Sequence, residues 1–337
     1  MTSELSFAVI GCGNIGKRHA SHIYNYARLA AVCDTDLMKA QALGSQYNTN
    51  IYSSLDELIS KGYEIDVIAI CTPNGLHAAQ TIECLQAGHH VVCEKPMAIS
   101  SVDCRQMIVA SEQSNKQLFI VKQNRFNSAV VQLKKALELN ALGKILSFQI
   151  NCFWNRNDDY YRDSWHGTKE LDGGTLFTQF SHFIDILYWL LGDVKEAYSY
   201  LQNRAHQSII SFEDTGVVTL YMQNGAVGTL NYTVNAYKEN MEGSFTLFGE
   251  KGTVKIGGQY LNIIQYQNIE SYTLPIIDEQ HKPNDYGTYK GSMSNHDKVY
   301  LNVLDVLQNG AVISTNAYEG LKTVEIIEKI YASNILK

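Results

Sequence analysis

Three glycines near the start of the chain have a spacing that permits a specific kind of chemistry. Gly11, Gly13 and Gly16 follow the apolar run Leu5 to Ile10 at G-x-G-x-x-G spacing, where a strand gives way to a predicted helix. In such a turn the first glycine permits a tight bend, the second leaves room for a pyrophosphate, and the third lets the helix pack closely on its strand. Phosphates then lie against free N–H groups at the positive end of the helix dipole. The spacing predicts a dinucleotide-binding turn.

An acidic residue stands at the distance expected for contact with a ribose. The apolar run Leu29 to Cys33 ends at Asp34, 18 residues beyond Gly16, close to the ~20 typical of the acid that binds the adenosine ribose. Thr35 and Asp36 follow, with no Arg or Lys nearby to neutralise a ribose phosphate, so NAD is favoured over NADP. The alternative is a structural turn in which Asp34 caps the next helix.

A lysine at the end of an apolar strand is the first candidate catalytic group. Lys95 follows the run His90 to Cys93 and stands between Glu94 and Pro96. Its strand delivers it to the carboxyl edge of a parallel sheet, beside the nicotinamide end of a bound cofactor. There a cation can hydrogen-bond a substrate hydroxyl and stabilise the alkoxide that develops as hydride leaves. The alternative is a surface ion pair between Glu94 and Lys95.

A histidine and an aspartate three residues apart form the second candidate. His182 and Asp185 share one face of a predicted helix, so Asp185 can hydrogen-bond the imidazole and fix its tautomer. Histidine suits a general base that removes a hydroxyl proton near neutral pH. The alternative is a core histidine packed among Phe183, Ile184 and Ile186.

A run that mixes cations with aromatic residues offers a third, less specific site. It contains Arg156, Tyr160 and Arg162, which are suited to grip a pyrophosphate and stack a base. The same composition is equally typical of a solvated loop. The histidines show no metal-ligand spacing and no Cys/His cluster occurs, so no metal site is predicted.

The elements that must position these residues predict two domains. Residues 1–122 alternate short apolar strands with helices, as in a doubly wound parallel sheet of the α/β class whose two faces are covered. Thr72-Pro73-Asn74 forms a turn at the carboxyl end of one strand, where ligands of such folds bind. Residues 123–337 carry longer alternating strands, an Asn224-Gly225 hairpin turn and two final amphipathic helices. They predict an α+β domain with a large, mainly antiparallel sheet.

Composition excludes several classes of partner. The 337 residues carry a net charge of −7 with Lys and Arg scattered singly, which leaves no electrostatic footprint for nucleic acid or an anionic membrane. No apolar run reaches the ~18 residues that span a bilayer, and no secretory signal precedes the first strand. The seven dispersed cysteines form no C-x-x-C pair. A cytoplasmic protein without a disulfide framework is predicted.

Five motifs follow one another in a characteristic order. They are the glycine turn, Cys-Thr-Pro-Asn at 71–74, Glu94-Lys95-Pro96, Arg125-Phe126 and His182-Phe183-Ile184-Asp185. In this order the chain resembles the Gfo/Idh/MocA oxidoreductase family from end to end. The resemblance implies an N-terminal Rossmann domain, NAD as cofactor, and a catalytic pair made of Lys95 and His182, with Asp185 in support.

The resemblance also assigns cofactor-binding positions. Some lie in the glycine turn and at the other strand ends, and some lie beyond residue 122. The full predicted set is Gly11, Gly13, Asn14, Ile15, Asp34, Thr72, Pro73, Asn74, His77, Glu94, Lys95, Gln123, Trp165 and His166.

Within the family, the segment around residues 160–174 resembles the bacterial UDP-sugar 3-dehydrogenases of lipopolysaccharide and O-antigen assembly. Those enzymes oxidise UDP-N-acetylglucosamine or its uronic acid at the sugar C3. The resemblance therefore implies a nucleotide-sugar substrate. The predicted substrate-binding residues are Lys95, Arg156, Tyr160, Arg162, Thr178 and His182.

Two positions depart from the family pattern. Thr178 stands where many members have Asp four residues before the histidine, and His166 replaces the usual Arg after Trp165. A threonine can hydrogen-bond a hydroxyl but cannot act as an acid or base near neutral pH. Proton removal then rests on His182, and Thr178 has only a supporting role.

Two alternative functions stay open. One is a free polyol, inositol or deoxysugar dehydrogenase or ketoreductase of the same family. The other is an NAD-binding regulator that has kept the fold and lost catalysis. In each case the resemblance implies a homodimer or homotetramer formed through exposed sheet surfaces of the second domain.

Overall fold

The chain divides into two compact units. The computed structural model describes residues 4–62, 64–162, 164–277, 282–287 and 289–335. One unit comprises residues 1–122 with 296–324, and the other comprises residues 123–295 with 325–337.

The first unit is built on a parallel sheet of six short strands. The strands are β1 (Ser6–Ile10), β2 (Arg28–Cys33), β3 (Asn50–Tyr52), β4 (Val67–Ile70), β5 (His90–Cys93) and β6 (Leu118–Ile120). Their order in the sheet is β3-β2-β1-β4-β5-β6. Every residue of β1 and β4 is buried, as a sheet covered on both faces requires. The chain order reverses between β1 and β4, the point at which such sheets bind ligands.

Helices connect these strands. They are α1 (Asn14–Tyr26), α2 (Leu37–Tyr47), α3 (Leu55–Lys61), α4 (His77–Gln86) and α5 (Ser101–Ser114), with a 3₁₀ turn at Asn74–Leu76.

The second unit is built on a seven-stranded sheet. Its strands are β7 (Ile145–Phe153), β8 (Val194–Gln202), β9 (Thr215–Met222), β10 (Val227–Thr233), β11 (Glu242–Gly249), β12 (Gly252–Gly257) and β13 (Ile263–Ile269). Their order is β13-β12-β11-β7-β10-β9-β8, and only the pairing of β7 with β10 is parallel. The predicted fold class, a doubly wound parallel sheet followed by a mainly antiparallel one, is confirmed.

The remaining elements of this unit are helices and a small hairpin. They are a 3₁₀ helix at Gln123–Phe126, α6 (Ser128–Glu138), α7 (Asp158–Tyr161), α8 (Thr175–Thr178), α9 (Ser181–Leu191), β14 (Pro283–Asp285) and β15 (Lys290–Met293). The sequence pattern did not predict β13, because the apolar and polar residues of this largely exposed edge strand do not alternate regularly. Among the described residues, no helix has the length and apolar character required to cross a bilayer.

The two last helices are α10 (His296–Asn309) and α11 (Ala317–Ala332). α10 packs against α1, and the ring of its Tyr300 meets that of Phe7 edge-on, with centroids 5.8 Å apart. The sequence pattern predicts one second domain over 123–337, whereas residues 296–324 group with the first unit. The physical reason is that the apolar face of α10 is buried against the first unit's own elements.

A buried carboxyl group ties the end of α11 to the segment before α9. Glu213 accepts hydrogen bonds from the hydroxyls of Tyr331 (2.7 Å) and Tyr232 (3.0 Å), and its carbonyl accepts one from Thr175. The Tyr331 oxygen in turn accepts the N–H of Leu176 at 3.2 Å. Burial raises the pKa of Glu213 from 4.5 to about 7.

This raised pKa makes stability depend on pH. Between these two pKa values the folded state holds a proton on Glu213 that the unfolded chain has already released. The contribution of Glu213 to the free energy of unfolding is therefore complete below pH 4.5 and is lost as pH rises through 7. At about 1.4 kcal/mol per pKa unit the effect reaches roughly 3 kcal/mol.

We expect Glu213→Gln to gain stability relative to the wild type as pH rises from 5 to about 8. Urea unfolding at a series of pH values measures this. The exposed Glu270→Gln is the control and should follow the wild type. Parallel curves for Glu213→Gln and the wild type would contradict the assignment.

Candidate active site

The glycine turn has the geometry of an anion site. Gly11 has φ +90°, and a Cβ there would lie 2.6 Å from the carbonyl oxygen of Cys71. A Cβ on Gly16 would lie 1.7 Å from the carbonyl oxygen of Gly11, so the helix contacts the strand end directly. A Cβ on Gly13 would meet nothing within 4 Å, and this N-cap residue of α1 has no side chain to cap the first turn. The backbone N–H groups of Asn14 and Ile15, in the first turn of α1, are therefore suited to bind an anion, as the sequence predicts.

Asp34 closes this turn from the neighbouring strand. Its carboxylate accepts the N–H of Cys12 at 2.7 Å and that of Asp36 at 2.8 Å. The residue that caps α2 is Asp36, which accepts from Met38 and Lys39. The alternative interpretation of Asp34 as the helix cap is thus wrong, and its half-buried carboxylate is held beside the glycine turn.

The turns that follow β4 and β5 are joined by one imidazole. The two ring nitrogens of His77 lie 2.9 Å from the carbonyl oxygen of Thr72 and 2.8 Å from that of Pro96. Burial lowers the pKa of His77. A neutral imidazole has one N–H, so His77 donates to one of these carbonyls and lies in contact with the other, between the Thr72-Pro73-Asn74 turn and the segment that contains Lys95. Its predicted contact with the cofactor stays a prediction.

Glu94, next to Lys95, is buried rather than exposed. Its Oε1 accepts from His19 Nε2 at 2.8 Å and from His296 Nε2 at 3.3 Å, and its Oε2 accepts the N–H of Lys95 at 2.9 Å. The other ring nitrogen of His19 accepts from the Tyr300 hydroxyl at 2.6 Å. Burial opposes ionisation, but the two histidines hold the pKa of Glu94 well below its usual value. The alternative of a surface ion pair between Glu94 and Lys95 is wrong.

The same three side chains have metal-ligand chemistry, with ligand atoms within 4.8 Å of one another. The 2.8 Å between His19 Nε2 and Glu94 Oε1 is a hydrogen-bond distance. Two ligands of one tetrahedral metal ion at about 2.0 Å are instead about 3.3 Å apart. Hydrogen bonds therefore account for this cluster. His19 was not identified from the sequence, and its position in the second turn of α1, facing the sheet, was the available signal.

In the second unit, the helix with the predicted base is held by a buried ion pair. His182 lies in the first turn of α9 and is 6% exposed. Asp185 accepts from Arg125 Nε at 2.8 Å and from Nη2 at 2.6 Å, and the guanidinium lies 5.3 Å from the centroid of the Trp189 ring. Arg125 was noted in the sequence only as part of a motif, and the structure gives it this bidentate role. The predicted contact between Asp185 and His182 stays a prediction.

Gln123 carries a polar atom that is not satisfied within the described residues. The side chain is 2% exposed, and its Nε2 donates to Ser292 Oγ at 2.9 Å. Its Oε1 is buried without a hydrogen-bond partner there. Since buried acceptors are normally paired, this oxygen is suited to receive a donor from a ligand.

The two arginines that the sequence predicts to bind substrate have different environments. Arg156 is 3% exposed and donates to Gln179 Oε1 at 2.8 Å and to the carbonyl of Asn155 at 2.5 Å. Its guanidinium also lies about 5 Å from the ring centroids of Trp154, Tyr160 and Tyr289. Arg162 is exposed, and its Nη1 lies 3.4 Å from Asp159 Oδ1. These contacts show an internal role for Arg156, and substrate binding by either arginine stays a prediction.

An aromatic stack and a buried carboxylate organise the segment from Tyr160 to Thr178. The Tyr160 ring stacks on His166 with centroids 4.2 Å apart, and its hydroxyl contacts His166 Nδ1 at 3.1 Å. Trp165 and His166 are in ring contact at 3.8 Å. Asp172, which no sequence argument singled out, is 1% exposed and accepts the Thr178 hydroxyl. Its place directly before two glycines in a polar loop was the only signal.

The glycine turn allows a prediction with an internal control. In Gly13→Ala the new methyl group has space in the protein, so we expect a loss of at most about 1 kcal/mol of stability. It faces the predicted pyrophosphate position, so the Kd for NADH should rise at least about tenfold. In Gly16→Ala the methyl group overlaps Gly11, and stability should fall by more than about 3 kcal/mol. Thermal unfolding of the cofactor-free protein measures the loss of stability. Fluorescence titration with NADH measures the loss of affinity. Normal NADH affinity in Gly13→Ala would refute the assignment.

Comparison with known proteins agrees with these two units. Residues 5–122 match the model of the oxidoreductase family with an NAD-binding Rossmann fold, and residues 130–255 match the GFO/IDH/MocA C-terminal domain. Among related sequences, inositol 2-dehydrogenase 2 of Saccharopolyspora erythraea is 25% identical and aligns with 79% of this chain and 77% of its own.

Two crystal structures are similar over nearly the whole length. One is the WlbA dehydrogenase from Bordetella pertussis in complex with NADH and UDP-GlcNAcA, at 35% identity and a TM-score of 0.87, covering 98% of this chain and 96% of the other. The second is the WlbA dehydrogenase from Chromobacterium violaceum with the same two ligands, at 35% identity and a TM-score of 0.89, covering 99% and 94%. The chain therefore belongs to the Gfo/Idh/MocA family and is an NAD-dependent oxidoreductase.

Proposed function

We propose that this enzyme oxidises the C3 hydroxyl of a UDP-linked N-acetylated hexose or hexuronate to the 3-keto sugar, for surface polysaccharide synthesis. The observation that carries the proposal is the 35% identity, over nearly the full length, to two dehydrogenases whose structures hold NADH and UDP-GlcNAcA. The segment from Tyr160 to Gly174, which resembles the UDP-sugar 3-dehydrogenases in sequence, supports it.

The residues present fit NAD. Gly13 leaves space at an uncapped helix N-terminus, Asp34 offers a carboxylate at the end of β2, and Gln123 offers a buried acceptor. These suit a pyrophosphate, a ribose and an amide donor respectively. When bound, NAD supplies the acceptor for the hydride that leaves the carbinol carbon.

The chain's own residues orient the substrate and move its proton. Lys95 hydrogen-bonds the C3 oxygen and stabilises the negative charge that grows on it. His182 accepts the hydroxyl proton as the C–H electron pair departs and the C=O bond forms. Asp185 supports the helix that carries His182, because Arg125 holds its carboxylate in place. Catalysis therefore comes from orientation and electrostatics.

A second candidate is oxidation or reduction of a free polyol, inositol or deoxysugar. It is favoured by the similarity to an inositol 2-dehydrogenase and by the internal hydrogen bonds of Arg156, a predicted diphosphate ligand. A non-catalytic regulator is disfavoured because Lys95 and His182 are both present.

Absorbance at the reduced-nicotinamide band distinguishes these functions. Protein with NAD is mixed separately with UDP-GlcNAcA, UDP-GlcNAc and free myo-inositol, with and without 2-oxoglutarate to reoxidise NADH. We expect NADH formation, or turnover with the 2-oxo acid, for a UDP-sugar alone. Activity on myo-inositol alone would establish the second candidate instead. Inactivity on all three, with NAD still bound, would indicate the regulator.

Two variants serve as controls for the chemistry. We expect Lys95→Met and His182→Asn each to lower kcat at least about 100-fold, the usual contribution of a positioned acid, base or charge. NADH affinity and thermal unfolding are measured on the same samples. Wild-type kcat in His182→Asn would remove it from the role of base.

We also propose that the protein is a homodimer or homotetramer that associates through the open face of the second sheet. Tyr198 (62% exposed) and Val217 (52% exposed) lie on this face, together with Tyr200 and Tyr221. An apolar face of this kind is typical of an interface. In sedimentation, we expect Tyr198→Lys with Val217→Lys to lower the mass of the wild-type assembly, and Tyr237→Lys, at a separate exposed turn, to leave it unchanged. A monomeric wild type would contradict the proposal.

A further inference from the structure

Helix α8 begins without a cap of its own. Its N-cap residue is Gly174, which has no side chain, and its four residues Thr175–Thr178 are all buried. At most N-caps a Ser, Thr, Asp or Asn side chain accepts the N–H of the second or third helical residue. Burial keeps water from taking over this role, so the first turn of α8 requires an acceptor from elsewhere in the fold.

The acceptor is a phenol 155 residues further along the chain. Tyr331, in the last turn of α11, accepts at its Oη the N–H of Leu176 at 3.2 Å, and Leu176 is the second residue of α8. A backbone N–H can only donate, so the Tyr331 hydroxyl directs its single hydrogen elsewhere, to Glu213 Oε1 at 2.7 Å. Tyr331 therefore makes the hydrogen bond that an N-cap side chain would make.

The backbone at Gly174 excludes a local cap. This residue has φ +132°, a conformation that favours glycine, and a Cβ there would lie 2.3 Å from the Tyr331 oxygen. The Tyr331 ring also stacks on that of Phe177 with centroids 5.8 Å apart, which holds the phenol at this place. A serine or aspartate at position 174 would displace the hydroxyl that acts in its stead. The glycine and the distant tyrosine are two parts of one arrangement.

A hydrogen-bonded backbone connects this first turn to the predicted base. The N–H groups of Gln179 and Phe180 donate to the carbonyl of Thr175, at 2.9 and 3.3 Å. These two residues alone separate α8 from α9, in which His182 is the second residue. A displacement at the start of α8 is therefore passed along this backbone to His182.

We infer that Tyr331 is a positioning residue that caps α8 from another element and thereby holds His182 where it can take the substrate proton. The inference rests on the proposed function, in which His182 is the base. A misplacement of about 1 Å can cost roughly 100-fold in rate. Tyr331 thus acts on kcat through the start of α8 and not by contact with the substrate.

A second tyrosine provides a matched control. The Tyr232 hydroxyl donates to the same Oε1 of Glu213 at 3.0 Å, and among the described residues it makes no hydrogen bond with α8. Tyr331→Phe keeps the ring that stacks on Phe177 and removes the cap. Tyr232→Phe removes one hydrogen bond to Glu213 and leaves the cap in place. If Tyr331 served only to satisfy Glu213, the two variants would behave alike.

The test compares the two variants in turnover and in hydrogen exchange. With whichever of UDP-GlcNAcA, UDP-GlcNAc or myo-inositol the wild type oxidises, we expect Tyr331→Phe to lower kcat roughly 10- to 100-fold. KM and the Kd for NADH should stay within about threefold of the wild type. In the protein without ligands, the Leu176 amide should exchange roughly 5- to 10-fold faster in this variant, because one hydrogen bond is lost. Tyr232→Phe should leave kcat and the exchange of Leu176 at the wild-type values.

The outcomes that overturn the inference differ from those that overturn the function. Equal losses of kcat in the two variants, or a folded Tyr331→Phe enzyme with wild-type kcat, would overturn the inference. Should Tyr331→Phe fail to fold, the wild type still decides, because a Leu176 amide that exchanges as fast as an unstructured one is not held by Tyr331, and a protected amide supports the cap. A wild type that oxidises none of the three compounds would overturn the proposed function instead, while the exchange rates still report whether Tyr331 caps α8.

Discussion

The need to satisfy a buried carboxylate is the constraint on which the first unit depends. Glu94 stands at the end of β5, and burying its charge without partners would cost several kcal/mol. His19 on α1, His296 on α10 and the backbone N–H of Lys95 supply the donors. Three elements are thereby held at one point, and one of them begins at the dinucleotide turn. The backbone of Lys95 is fixed by the same carboxylate.

Two buried carboxylates of the second unit are also satisfied by hydrogen-bond donors. Asp185 is paired with Arg125, and Asp172 is bonded to Gly167 and Thr178. Loss of one partner from a buried ion pair typically costs roughly 3–5 kcal/mol, because the other charge stays buried without compensation. Helix α9 and the loop before it are therefore held by interactions that strongly resist displacement, which is what the proposed role of His182 as a base requires.

Hydride transfer by the cofactor is separate from substrate recognition by side chains, and this separation explains how one family acts on several substrates. Hydride chemistry belongs to the cofactor, and residues 5–122 match the NAD-binding Rossmann model of the family. Relatives of this chain include a dehydrogenase crystallised with UDP-GlcNAcA and an inositol 2-dehydrogenase. Function therefore depends on side chains grafted onto a shared fold.

Local pattern determined much of this protein. Apolar strands, the G-x-G-x-x-G spacing and the alternation of the later strands depend on neighbours within a few residues, so the sequence alone predicted both sheets and NAD as the cofactor. The tertiary structure decided which distant groups meet. Glu94 finds donors at His19 and His296, 75 and 202 residues away, and Arg125 finds Asp185 at a separation of 60. No periodicity reports such separations, because they follow from the packing of whole elements and from the requirement that each buried charge be paired.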